Sequence, residues 1–296
     1  MIICPRCQTP NPPDAGQCRH CGRPLTSPPP PASPPFWLAT AIFLVILLGL
    51  VLPPFSSGPP PRRPGVEAAF HLIDLMPPGA RVLLAWDYEP TTQGEMHLLA
   101  QPILQHLRER QALVADVSLR PLGPAAAADA RRLASSLRPP GIAAEGVPPL
   151  DLGFIPGNAA ALQALILAPA AAASLPKESL AAMDMDDDLA AFDLIIEFSA
   201  ESSASQQWIE QIAARQPSAL LIVAASGAVA PVLEPYAQSG QLAALLAGYP
   251  DALAYESLLG QDGPATAQQA AQTLAHLLVI LLILLALART LRSREI

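Results

Sequence analysis

Two long apolar runs bracket a middle region in which short apolar runs alternate with segments of helical period. The first, Phe36–Leu52, has 17 residues without a charge, closed by Pro35 on one side and Pro53-Pro54 on the other. At about 1.5 Å per residue, a helix of that length just crosses a hydrocarbon layer of roughly 30 Å. The second, Leu274–Ala288, continues to about Leu291 with Arg289 snorkelling, and His276 near its start is expected at the interface. Residues 25–35 hold six prolines and residues 53–64 hold six more, so both stretches read as extended polyproline II spacers.

Between the spans, five apolar runs read as strands: Arg81–Asp87, Leu113–Leu119, Leu150–Ile155, Phe192–Ser199 and Ala219–Ala225. The last two are almost unbroken apolar sequence, as expected of strands covered on both faces. In Glu95–Arg110 the apolar residues Met96, Leu99, Ile103 and Leu107 recur at spacings of three and four, which predicts a helix, with Pro102 kinking it or marking its start. Ala125–Leu137 follows Pro124. Asn158 is expected to cap Ala159–Leu167, and Ser203 or Ser205 the segment holding Trp208, Ile209 and Ile212. A last helix is expected from Pro235 to about Ala247. Strand–helix repetition implies an α/β domain with a doubly wound, Rossmann- or flavodoxin-like parallel sheet.

Charge is segregated along the chain. Between Gly65 and Gln272 there are 9 Lys/Arg against 23 Asp/Glu, a net of −14, while the remainder carries +6. So acidic a middle domain repels phosphates, which excludes nucleic acid as its partner. The 16 arginines against a single lysine, Lys177, read as base composition.

All four cysteines lie in the first 21 residues, as Cys4-Pro5-Arg6-Cys7 and Cys18-Arg19-His20-Cys21. Two residues between cysteines let a tight turn aim both thiolates at one ion, and a second such turn completes a tetrahedral sulfur site. Two disulfides or an iron site are the other uses of such cysteines; the spacing favours structural Zn2+. So short a segment has no core, so the metal supplies most of its folding free energy. With Ile3, Asn11, Pro12, Ala15, Gly22, Pro24 and Leu25, the stretch resembles the short bacterial zinc-ribbon family. That resemblance implies one closed Zn2+ site at Cys4, Cys7, Cys18 and Cys21, and a partner-docking role. Gln8 stands where a glycine usually follows the second cysteine, and Gln17 where an aromatic often precedes the third.

These readings divide the chain into a zinc ribbon (1–25), a linker (26–35), a first span (36–53), a second linker (54–66), an α/β domain (67–268), a second span (273–291) and a tail (292–296). No Lys or Arg occurs between Arg215 and Arg289, whereas the tail has Arg289, Arg292 and Arg294, so the C-terminus is expected in the cytoplasm of a plasma-membrane protein. Two spans place the N-terminus on the same side and the middle domain outside. A cleaved signal peptide is disfavoured by the metal site ahead of the first run.

In doubly wound sheets ligands sit beyond the carboxyl ends of the strands. That singles out Asp87, Glu89 and Glu95 after the first strand, Asn158 after the third, Ser199 and Glu201 after the fourth and Ser226 after the fifth, as residues lining one cleft. Asp87-x-Glu89-x-Thr91 also looks like the nucleophile loop of haloacid dehalogenase-type phosphatases. Glutamate there replaces that family's second aspartate, and the acidic run Asp184–Asp188 precedes a strand instead of following one. That run also lacks the glycine and terminal glutamate of an EF-hand loop. There is no GxSxG, HExxH or Walker lysine. The expectation is a membrane scaffold or sensor, with a ligand- or protein-binding domain outside and a zinc-ribbon adaptor docking a protein inside. The alternative is a membrane-tethered hydrolase using Asp87, Glu89 or Glu95.

Overall fold

The apolar runs of the middle region are the strands of one sheet, and their near-continuous hydrophobicity follows from helices covering both faces. The computed structural model describes residues 1–25, 43–44, 62–136, 148–176, 179–180, 187–216 and 219–292. Apart from residues 43–44, which are helical, the first apolar run lies outside the described residues, as do both proline-rich segments for most of their length and Asp184 and Asp186 of the acidic run.

In the N-terminal segment, β1 (Ile2–Ile3) pairs antiparallel with β2 (Pro10–Asn11). The middle region then runs α1 (Pro64–Asp74), β3 (Arg81–Asp87), α2 (Gln93–Glu109), β4 (Leu113–Ser118), α3 (Gly123–Ser136), β5 (Leu150–Phe154), α4 (Ala159–Leu167) and α5 (Pro169–Ala172). It continues with β6 (Leu194–Ser199), α6 (Ser202–Arg215), β7 (Leu221–Ala225), α7 (Ala230–Gln238), β8 (Ala244–Ala247), α8 (Gly248–Leu258) and α9 (Pro264–Arg292).

Strands β3–β8 form a six-stranded sheet in the order β5-β4-β3-β6-β7-β8, every pair parallel. This is the doubly wound arrangement, winding outward in both directions from β3 and β6. Alternation along the strands sorts the core. Val82, Leu84, Trp86, Ile196 and Phe198 pack with α1, α2, α3 and α8, whereas Leu83, Ala85, Ile195 and Val223 pack with α4, α6 and α7.

Several elements differ from the sequence-based expectation. The helix expected over Pro235–Ala247 ends at Gln238, and Ala244–Ala247 is a sixth strand. Local helical period loses there to the pairing that β7 offers, Ile222–Ala225 against Ala244–Ala247. The linker expected up to residue 66 already contains the start of α1, and Gly65 lets it approach β8 so closely that a Cβ there would stand 2.2 Å from the Leu245 carbonyl oxygen. Helix α2 runs through Pro102 without interruption. Asn158 does not cap α4 through its side chain; it adopts φ 49, the left-handed region asparagine tolerates. Neither Ser203 nor Ser205 is the cap of α6, since that position is Glu201 and both serines lie inside the first turn.

Among the described residues, one helix is long and apolar enough to cross a membrane, over Pro264–Ile283 of α9. Its start packs on the domain, with Ala265, Ala270 and Ala271 buried, while Leu277, Val279, Ile280, Leu281 and Ile283 are exposed. Apolar side chains exposed all round a helix are what a lipid environment accommodates.

Candidate functional site

The four cysteines converge. Cys4, Cys7, Cys18 and Cys21 are free thiols whose Sγ atoms all lie within 4.8 Å of one another. Three separations are 3.5 to 3.6 Å. A tetrahedral ion with bonds of about 2.3 Å to sulfur requires an edge of about 3.8 Å, so the cluster is sized to hold a metal ion with little adjustment.

Each pair is built by the same turn: the Gln8 N–H donates to Cys4 O at 2.9 Å, and the Gly22 N–H to Cys18 O at 2.9 Å. Both turns need a left-handed residue after the second cysteine, which Gly22 supplies at φ 70 and Gln8 at φ 56. Asn11 ties the two turns together. It is buried, donates from Nδ2 to Thr9 O at 2.7 Å, and accepts the Arg19 N–H at 2.9 Å.

A second site lies where the winding of the sheet reverses, between β3 and β6. A cleft of about 160 Å³ opens there, lined by Asp87, Tyr88, Glu89, Thr91, Thr92, Arg120, Ala200 and Glu201. Arg120, after β4, pairs with Glu201, after β6, across the mouth. Three carboxylates against one guanidinium leave the lining acidic.

Asp87 forms the floor and is 1% exposed. Its Oδ2 accepts the Trp208 Nε1–H at 2.6 Å, and its Oδ1 accepts the Leu119 N–H at 2.7 Å and the Ser118 hydroxyl at 3.2 Å. Burial pushes its carboxyl above the usual range, and those three donors and Arg120 oppose the push. Helix α3 can begin this close only with a glycine, because a Cβ on Gly123 would lie 1.9 Å from Ser118 Oγ.

Of the residues expected to share the cleft, Asp87, Glu89 and Glu201 line it. Ser199 is buried beside it at the end of β6, donating to Glu201 O at 3.0 Å. Glu95 faces β7 instead, accepting the Gly227 N–H at 3.0 Å. Ser226 is buried and gives its backbone N–H to Ser199 O at 3.0 Å. Asn158 follows β5 at the sheet edge, is exposed, and does not line the cleft. Position after a strand predicts the correct end of the sheet but not adjacency, which depends on strand order.

Sequence reasoning missed Arg120 and Glu197. The last was visible as an acid inside the apolar run FDLIIEFS. Glu197 is fully buried in β6, and its two carboxylate oxygens have no hydrogen-bond partner of good geometry among the described residues. Burial, and then the nearby Asp87 charge, hold its carboxyl well above the ordinary range. The Ser199 and Ser205 hydroxyls and Arg120 oppose this.

No protein-family model, curated protein or solved structure matches this chain.

Proposed function

We propose that this chain is a membrane-anchored binding protein: a scaffold or sensor whose α/β domain recognises a cationic group at the cleft between β3 and β6. The observation that carries the reading is the acidic mouth, where Glu89 and Glu201 are set against Arg120 alone over a cleft of about 160 Å³. That volume is below the ~300 Å³ at which small-molecule pockets begin, and suits a single side chain or a small amine. Binding is favoured over hydrolysis because Asp87 and Glu95, two of the three acids a hydrolase would draw on, are hydrogen-bonded to their own fold.

In this reading the N-terminal segment is a zinc ribbon of the short bacterial type. A closed four-thiolate site has no open coordination position, so its role is structural, presenting a surface to a cytoplasmic protein partner. The exposed apolar residues of α9 support membrane anchorage. With Phe36–Leu52 as a second span, the arginine asymmetry supports both termini in the cytoplasm and the acidic domain outside.

The test is crosslinking of the intact protein in its own membrane, with three versions compared. Glu89→Lys/Glu201→Lys should lose the partner on the domain side and keep the one on the N-terminal side, and Cys4→Ser should do the reverse. Recovery of an identical set from all three refutes the proposal.

A further inference from the structure

Two buried carboxylates on α8 hold the segments by which the chain enters and leaves the α/β domain. Asp251, 4% exposed, accepts the Arg63 Nη1–H at 2.7 Å through Oδ1 and the Ala247 N–H at 2.7 Å through Oδ2. Arg63 is the residue just ahead of α1, at the end of the proline-rich stretch that follows the first apolar run.

Glu256, five residues further along α8, fastens the other end. Its Oε1 accepts the Ala265 N–H at 2.9 Å. Its Oε2 accepts the Gly263 N–H at 3.2 Å, the Thr266 N–H at 2.8 Å and the Thr266 hydroxyl at 2.7 Å. Ala265 and Thr266 lie in the first turn of α9, where backbone donors have no partner within their own helix. A carboxylate there also opposes the positive end of the helix dipole. A Cβ on Gly263 would come within 2.4 Å of Glu256 Oε1, so a side chain there would displace the carboxylate from the start of α9.

From this capped start α9 continues without a break into its exposed apolar stretch. A helix that begins inside the domain's hydrogen bonding and carries no proline after Pro264 has no hinge at which to swivel. Leu274 stands only about 15 Å along the axis from Pro264 at about 1.5 Å per residue.

We infer that α8 is the coupling element between the domain and the membrane: through Asp251 and Glu256 it holds both ends of the domain, so that the domain and α9 move as one rigid body with a fixed orientation to the bilayer. The inference rests on α9 being a membrane span. A rigid joint is what allows a displacement in the domain to reach the far side of a membrane; a flexible tether would dissipate it.

The test uses the full chain in phospholipid nanodiscs, with spin labels on azide-bearing residues at positions 238 and 283 so that the cysteines stay untouched. Wild type should give one narrow distance distribution. Glu256→Ala and, independently, Gly263→Ala should broaden it at least about twofold, because the first turn of α9 is released from the domain. A wild-type distribution as broad as those of the variants, or variants as narrow as wild type, overturns the inference. Failure of the chain to enter nanodiscs is a different result, which refutes the membrane span and the coupling built on it.

Discussion

Replacing Asp87 with alanine tests whether this residue organises the floor of the cleft. In the folded protein its carboxylate is the acceptor for Trp208 Nε1–H, Leu119 N–H and the Ser118 hydroxyl, all from buried residues. Ser118 has a second acceptor, Trp86 O at 2.6 Å, so it is not orphaned by the change. The Trp208 and Leu119 donors are. Each buried donor left unsatisfied costs about 1–3 kcal/mol, and relief from burying a charge offsets part of the sum, leaving a loss of about 3 kcal/mol. For a domain of this size that corresponds to a fall in Tm of about 6–12 °C.

The assay is urea unfolding of the full chain in detergent micelles, followed by tryptophan fluorescence, beside Glu89→Ala. Glu89 is exposed at the cleft and its carboxylate has no hydrogen-bond partner among the described residues, so its loss should stay within about 0.5 kcal/mol. Equal stabilities for Asp87→Ala and Glu89→Ala would refute the assignment of Asp87 as a structural acceptor.

Further outcomes follow from single features of the chain. Burial and the Asp87 charge raise the Glu197 carboxyl, so the folded state binds more protons than the unfolded state above about pH 4.3, and stability falls with rising pH until the folded carboxyl ionises. Glu197→Gln should therefore gain on wild type through that window by about 1.4 kcal/mol per pH unit, read from denaturation curves at pH 4 to 8; parallel curves would contradict this. Gln8→Gly relieves a left-handed glutamine worth about 1 kcal/mol and should tighten zinc binding about fivefold in chelator competition, whereas an unchanged affinity would show that the turn is not strained. Purified protein should carry about one zinc per chain by elemental analysis and lose it in Cys18→Ser, since three thiolates no longer close the site. Gly123→Ala should cost about 3 kcal/mol or more, because its Cβ would overlap Ser118 Oγ and the Trp86 carbonyl; a variant with wild-type Tm would show that α3 can shift away freely.

Local pattern was enough to determine the strand–helix alternation, the five strands from Arg81 to Ala225 and the clustering of the cysteines. Each of these depends on residues close in the chain: burial on both faces imprints a continuous apolar run, and a CxxC turn needs only its own backbone. The sixth strand was not legible in that way. Ala244–Ala247 has too few residues to show a period, although Ser239-Gly240 marked the turn before it, and it is a strand because β7 presents it with an edge. The attachment of both domain ends to α8 is likewise a tertiary result, since Arg63 meets Asp251 across 188 positions.

Strand order was the decisive unknown at the cleft. With β4 and β6 flanking β3, Arg120 meets Glu201 over Asp87, and Asn158 falls at the sheet edge. No spacing in the chain encodes that order, because it is set by which helices cover which face and how both halves wind from the centre. The sequence by itself determined what kinds of element form and which end of the sheet carries polar groups. Only the folded arrangement decided which of those groups meet, since contacts between residues far apart in the chain depend on the packing of the whole domain and not on any local propensity.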